Sequence, residues 1–268
     1  MSAFNEPAYA KLNLALHVRG RMADGRHRLE TVFAFCQDGD ELAGDLADHI
    51  TLEIDGPFAS GLATDRENLV VRAADALRDR AEVAEGAALR LTKNLPLASG
   101  IGGGSADAAA ALRLLTALWG IDAAHAAAAA SRLGSDVPAC LLSMTARGIG
   151  AGDELCLVDS GISGTPVLLV NPGKPLSTAE VFARWDGIDR GPLDDWRTGR
   201  NDLEAPATAL VPEIAAVLDW LSGQPGAAFP RMSGSGGTCF ALFDSLKERD
   251  AAAEAVPDNW WHLATKLR

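Results

Sequence analysis

Leu95-Pro96-Leu97-Ala98-Ser99-Gly100-Ile101-Gly102-Gly103-Gly104-Ser105-Ala106-Asp107 places four glycines in five positions, Gly100 and Gly102 to Gly104. Ala88 to Leu91 ahead of it reads as a short strand. Behind it Leu112, Leu115 and Leu118 recur at helical spacing, and Gly120 stands where a helix C-cap belongs. Between a strand and a helix, residues without side chains let several backbone N–H groups converge on one point. The positive end of the helix dipole faces the same point, so the loop is a trap for a phosphate chain. Ser105 is expected to cap the helix, to donate to a phosphate, or to do each in turn. The loop is not a Walker A sequence, because no Lys-Ser or Lys-Thr follows the glycines. A dinucleotide fingerprint read from Gly100 needs glycine or alanine at position 105 and meets serine.

Working outward, Leu12 to Val18 and Ile50 to Ile54 alternate as half-buried strands do, and Asp55-Gly56-Pro57 is a turn. Lys11 and Asn13 share one face of the first strand by its period of two. Asn68 has the position of a helix N-cap, with Leu69, Val70, Ala73 and Leu77 on one side of the helix. A further helix over His125 to Leu133 ends at Gly134. Ser135 is expected to cap the next helix, with Pro138 in its first turn. Asp136 lies at that helix start, where the dipole favours the ionised carboxylate that a proton acceptor requires. In the second half, Val167 to Val170 and Cys239 to Phe243 read as buried strands, and Glu213 to Leu221 as an amphipathic helix. Ser245 to Glu248 reads as a capping box. Met232-Ser233-Gly234-Ser235-Gly236-Gly237-Thr238-Cys239 is a second glycine-rich turn, which brings more amides and hydroxyls toward the phosphates. Mixed strands and helices predict an α+β protein of two lobes, residues 1–155 and 156–268.

Composition narrows the functional classes. A chain of 268 residues with 48% hydrophobic and 22% charged residues is that of a folded protein with a sizeable core. A net charge of -12 argues against nucleic acid as a partner. An anionic substrate then needs a local basic pocket, backbone amides and a metal ion that arrives with it. The four cysteines include no CxxC pair, so no zinc or redox site is expected, and reduced thiols in the cytoplasm are the simplest reading. Met1 to Glu6 lacks the basic start and apolar run of a signal peptide. The apolar stretch from Ala106 to Ala130 carries Asp107, Arg113 and Asp122 and is rich in alanine, which predicts buried helices and no membrane span.

Three motifs in this order resemble those of the GHMP kinase superfamily: Pro7 to Leu14, Leu95 to Asp107, and Ser233 to Thr238. Asp24-Gly25-Arg26-His27, Glu67 to Ala74 and Gly134 to Pro138 narrow the resemblance to its branch acting on a cytidine diphosphate alcohol. The resemblance implies a ribosomal-protein-S5-like N-terminal lobe and a ferredoxin-like C-terminal lobe. It implies ATP-dependent phosphorylation of the C2 hydroxyl of 4-diphosphocytidyl-2-C-methyl-D-erythritol, in isoprenoid precursor synthesis, with Mg2+ carried in on ATP. The alternatives are another small-molecule kinase of the superfamily, of homoserine or mevalonate type, or an ATP-binding sensor without turnover. By motif position Asp136 is the base, and Lys11 keeps it ionised. The whole loop Pro96, Leu97, Ala98, Ser99, Gly100, Ile101, Gly102, Gly103, Gly104, Ser105 and Ala106 cradles ATP, with Asn68 and Lys93 beside the nucleotide. Asn13, His27, Thr178 and Phe182 match the substrate side. Two positions depart from the pattern. Arg26 stands where the family usually has a tyrosine that stacks on cytosine, and a guanidinium plane stacks too. Tyr9, ahead of Ala10, is the other.

Overall fold

The computed structural model describes residues 4–268. The absence of a signal peptide read from Met1 to Glu6 therefore rests in part on positions outside the described residues. The chain order is β1 (Phe4–Arg21), β2 (His27–Ala47), β3 (Thr51–Asp55), α1 (Leu69–Ala81), β4 (Gly86–Thr92), α2 (Gly103–Trp119), α3 (Ala123–Leu133) and α4 (Val137–Leu142). It continues with β5 (Ala146–Gly150), β6 (Glu154–Leu157), β7 (Pro166–Asn171), α5 (Thr178–Ala183), α6 (Glu204–Leu210), α7 (Glu213–Ser222), β8 (Ala227–Met232), β9 (Cys239–Phe243), α8 (Leu246–Glu254) and β10 (Trp261–Lys266). Two compact units interleave along this order. One holds the chain up to Ala10, Asp38–Leu97 and Gly102–Ser143; the other holds Lys11–Gln37, Ala98–Ile101 and Met144–Arg268.

In the first unit the later part of β2 pairs antiparallel with β4, Leu42 opposite Leu91, and β3 pairs parallel with β4, Leu52 opposite Leu89. Helices α1 to α4 supply the rest. Helix α2 is covered on all sides along Ala108 to Ala111, which small alanines permit: these four run right round the helix and are all fully buried, with Leu112 and Leu115. Gly44 on β2 completes that fit, since a Cβ there would stand 2.9 Å from side-chain carbons of Leu89 and Leu114. Gly120 ends α2 in the left-handed conformation, so the apolar run from Ala106 breaks into two helices. Among the described residues no helix is long and apolar enough to cross a membrane. Tyr9 packs under the guanidinium of Arg113, 5.8 Å from the ring centroid, and Arg113 also donates to the Pro7 and Cys140 carbonyls at 2.7 and 2.8 Å. The aromatic ring at that position thus seats an arginine that ties β1, α2 and α4 together.

In the second unit the first part of β2 pairs antiparallel with β5, and β5 with β6. A separate antiparallel sheet has the order β10-β7-β9-β8. Its strands and two of its helices follow one another as β7-α7-β8-β9-α8-β10, the split βαβ arrangement of ferredoxin-like folds. Leu168, Val170, Met232, Ala241 and Phe243 from the sheet meet Val181, Leu203, Ile214, Val217 and Leu221 in one buried core. Cys36, Cys140 and Cys239 are buried thiols and Cys156 is exposed; among the described residues none is in a disulfide.

Candidate active site

The first unit carries the two stems of the glycine loop. Gly102 caps α2 in the left-handed conformation (φ +68°) and has no side chain to offer the helix's first N–H groups. Ser105 is the third residue inside the helix, so the expected serine cap is replaced by a turned glycine backbone. No acidic residue occupies the first turn either, which leaves the positive end of α2 unopposed. Gly104 is exposed, and no protein atom lies within 4 Å of where its Cβ would be. Packing among the described residues does not account for a glycine there. Leu97 is exposed, Pro96 half-buried and Ala106 buried. Lys93 is only 2% exposed and binds Asp40 and Asp107.

Two further predicted residues stand at helix starts of this unit. Asn68 caps α1 as expected: its Oδ1 accepts the Val70 N–H at 2.9 Å, while its Nδ2 donates to the Ala63 carbonyl at 2.8 Å. Asp136, and not Ser135, takes the N-cap position of α4. The reason is the chain's turn at Gly134 (φ 163°, ψ 158°), which extends the backbone and starts the helix at Val137. Asp136 is half-buried, and its side chain makes no capping bond to α4.

The second unit brings the two other motifs together with the middle of the loop. Lys11 is 2% and Asn13 3% exposed, so neither is a solvent-facing strand residue. Lys11 Nζ donates to Asn13 Oδ1 at 2.9 Å and lies 5.4 Å from the Phe33 ring centroid. Asn13 Nδ2 donates to Thr31 Oγ1 at 2.8 Å, and the Thr31 hydroxyl donates to the Ala15 carbonyl at 2.6 Å. This chain fixes the amide orientation, so Asn13 presents its oxygen to the ammonium. The Lys11 N–H also donates to the Ile101 carbonyl at 2.9 Å, binding β1 to the glycine loop. Ser233 adds a second tie: its hydroxyl accepts the Asn13 N–H and donates to the Gly100 carbonyl, each at 3.1 Å. The Thr238 N–H donates to the carbonyl of buried Ser99 at 3.0 Å. Ala98 enters this segment with a positive φ of 48°.

Asn201 was not singled out from sequence, yet it holds the second glycine turn in shape. Its Nδ2 donates to the Met232 and Gly234 carbonyls, both at 2.8 Å. Nothing local marks it, because both partners lie some thirty residues away.

On the side expected to meet the substrate, Arg26 is exposed and held by two carboxylates, Asp24 at 2.8 Å and Asp153 at 3.4 Å. His27 lies against Phe182, ring centroids 4.7 Å apart, and meets Trp185 edge-on at 5.7 Å. Sequence reading missed Trp185. Among the described residues, the buried His27 Nε2 and Trp185 Nε1 atoms have no hydrogen-bond partner. Burial, and secondly the charge of Arg21, hold the His27 imidazole below its ordinary range, which keeps it neutral at pH 7. An aromatic pair beside unspent ring nitrogens is suited to a planar heterocycle that offers hydrogen bonds at its edge. Thr178 opens α5, its hydroxyl 2.8 Å from that of Ser235.

The profiles of two families match this chain. "GHMP kinases N terminal domain" matches residues 68–144, and "GHMP kinases C terminal" matches residues 187–262. A 4-diphosphocytidyl-2-C-methyl-D-erythritol kinase of Rhizorhabdus wittichii is 52% identical, over 98% of this chain and 94% of its own. One of Novosphingobium aromaticivorans is 50% identical, over 99% and 93%. A crystal structure of 4-(cytidine 5'-diphospho)-2C-methyl-D-erythritol kinase superposes with a TM-score of 0.83 at 33% identity, covering 98% of each chain. The chain belongs to the GHMP kinases and, within them, to the family of the 4-diphosphocytidyl-2-C-methyl-D-erythritol kinases.

Proposed function

We propose that this chain transfers the γ-phosphoryl group of MgATP to the C2 hydroxyl of 4-diphosphocytidyl-2-C-methyl-D-erythritol, in the synthesis of isoprenoid precursors. The observation that carries this reading is identity at half of all positions with kinases of that name, along nearly the whole of both chains. The residues supply the chemistry. Phosphoryl transfer passes through a loose transition state, so positioning and charge stabilisation do most of the work. The amides of Gly102 to Ser105 and the unopposed end of α2 receive phosphate oxygens. Asp136 takes the proton of the attacking hydroxyl, and Lys11 stabilises charge on the transferred group. His27 and Phe182 hold the cytosine ring, with Arg26 beside them and Trp185 behind the imidazole. Asn13 and Thr178 serve the same substrate, and Asn68 and Lys93 the nucleotide. Magnesium enters as part of the nucleotide substrate. The cytoplasm, where ATP and reduced thiols are found, is the proposed location.

The test is a coupled ADP-release assay with the cytidyl alcohol, homoserine and mevalonate offered separately. Turnover of the first is expected. Turnover confined to homoserine or mevalonate makes the chain another kinase of the superfamily. ATP binding with no turnover of any alcohol makes it a sensor.

A further inference from the structure

One buried cluster in the first unit holds Lys93 through two carboxylates, Asp40 and Asp107, that have no part in the chemistry above. Lys93, just past β4, donates through Nζ to Asp107 Oδ2 at 2.7 Å and to Asp40 Oδ2. The three side chains are 2%, 6% and 0% exposed. The other oxygen of Asp40 accepts the backbone N–H groups of Asn94 and Leu95 at 2.6 and 2.8 Å. Asp107 is the fifth residue of α2. The cluster therefore joins the chain just before the glycine loop to the helix just after it. Gly103 lies over the ammonium, and a Cβ there would stand 3.1 Å from Nζ.

We propose that Asp107 is a positioning residue for the nucleotide: with Asp40 and Lys93 it forms an ionic staple across both stems of the glycine loop and fixes the separation at which the loop backbone receives a phosphate chain. This rests on the reading of the loop as the ATP cradle.

The charges in the staple do not balance if both carboxyls are ionised. One ammonium then faces two carboxylates in a site removed from water, which leaves an uncompensated buried charge. Asp107 Oδ1 is buried and has no hydrogen-bond partner among the described residues, so that carboxyl receives less support than Asp40, which has two N–H donors. Among the described residues, the charges that bear on Asp107 are those of Lys93 and of Asp40 on β2. Burial and then Asp40 push its pKa up to about 8, against the pull of Lys93. Burial opposes the charge on Lys93, but Asp107 and Asp40 outweigh it and hold the ammonium protonated. At neutral pH the staple is neutral with one proton on Asp107, and in alkali it turns negative beside the loop meant for phosphates.

Two measurements on the full chain test this. Calorimetric MgATP affinity is followed from about pH 6.5 to about pH 9.5, either side of the value near 8. The wild type is expected to lose affinity through that region, and Asp107→Asn, which has no proton to lose, to show no such step. Asp107→Ala, which cuts the staple, is expected to raise KM for ATP about ten- to hundredfold while kcat changes much less. Melting curves without nucleotide read the staple alone. The folded pKa of Asp107 lies above its unfolded value. Its contribution to stability is therefore full below about pH 4 and is lost as pH rises through about 8. That slope is expected in the wild type and absent in Asp107→Asn. An unchanged pH profile in a folded Asp107→Asn, or unchanged ATP affinity in a folded Asp107→Ala, overturns the proposal. A slope in the melting curves of a wild type that binds no ATP leaves the staple as architecture, refutes the cradle reading and removes Asp107's role toward the nucleotide.

Discussion

Gly100 and Gly234 cross backbone to backbone: the Gly100 carbonyl oxygen lies 2.7 Å from where a Cβ on Gly234 would stand. Gly100 is equally confined, since its own Cβ would lie 2.5 Å from the Gly236 carbonyl oxygen and 2.6 Å from that of Ser233. Both have positive φ, 77° and 57°. Two glycine-rich turns more than a hundred residues apart in sequence thus hold each other in place. Gly234→Ala combines a left-handed alanine with a backbone clash, and a loss of about 1–3 kcal/mol is expected. Denaturant unfolding measures the loss, and calorimetry is expected to show weaker ATP binding in the folded fraction. A variant as stable as the wild type makes this crossing incidental.

Asp136→Asn keeps the shape of the proposed base and removes its charge. A positioned base contributes about 10²–10⁴-fold, and kcat is expected to fall within that range. The loss should sit near the lower end, because a loose transition state removes little of the hydroxyl proton before bond cleavage. A melting curve for the variant excludes unfolding as the cause of the loss. Near-normal turnover would leave Asp136 a helix-start acid and nothing more.

Lys11→Met retains the apolar stem beside Phe33 and removes the ammonium that Asn13 Oδ1 accepts from. A drop in kcat larger than any rise in KM is expected, since the charge is needed most where phosphoryl transfer develops it. Steady-state kinetics at saturating ATP give the split. A pure KM effect would move Lys11 from catalysis to binding.

Arg26→Ala is expected to raise KM for the cytidyl alcohol with little change in kcat, and Arg26→Tyr to preserve or improve it. The guanidinium is exposed and its ion pairs with Asp24 and Asp153 lie at the surface, so stability should change by less than about 1 kcal/mol. An unaltered KM in the alanine variant shows that this side chain does not reach the substrate.

His27 has a folded pKa below its unfolded value of 6.5, chiefly through burial. For a base the sign follows directly: its contribution to stability is full above about pH 6.5 and is lost as pH falls and the unfolded chain takes up the proton first. Cytidine nucleotide affinity should decline as His27 protonates, because the imidazolium has no ring nitrogen left to accept a hydrogen bond from the base. An NMR titration of the imidazole checks this, and a midpoint at or above 6.5 contradicts it.

Local signals carried the loop, the Asn68 cap and the Ser245 box, where the hydroxyl accepts the Glu248 N–H and donates to its carboxylate. Each of these is settled by residues within a few positions of one another. The two serine caps failed for a local reason as well: a glycine turned left-handed at 102, and an extended Gly134, set the helix starts without a hydroxyl. What stayed hidden depends on distant partners. Asp40 is an ordinary acid on a strand until Lys93, fifty-three residues on, is placed against it. Trp185 looks like core until His27 turns an edge toward it. Lys11 and Asn13 were legible as a pair by strand period, but their burial came only with Thr31 and Ser233.

The interleaving of the two units along the chain governs the order in which the protein can form. Strand residues Lys11–Gln37 pair β1 with β2 at once, but most of their unit is Met144–Arg268, so more than a hundred residues must be made before it exists. During synthesis, which proceeds at about 5–20 residues per second, the first strands wait several seconds with apolar faces uncovered. The unit that holds Lys11 closes only after its last strands have left the ribosome. Contacts of such long sequence separation fold slowly. Overproduction of this chain should therefore respond to lower temperature and to chaperones that shield nascent strands, even where the finished protein is stable.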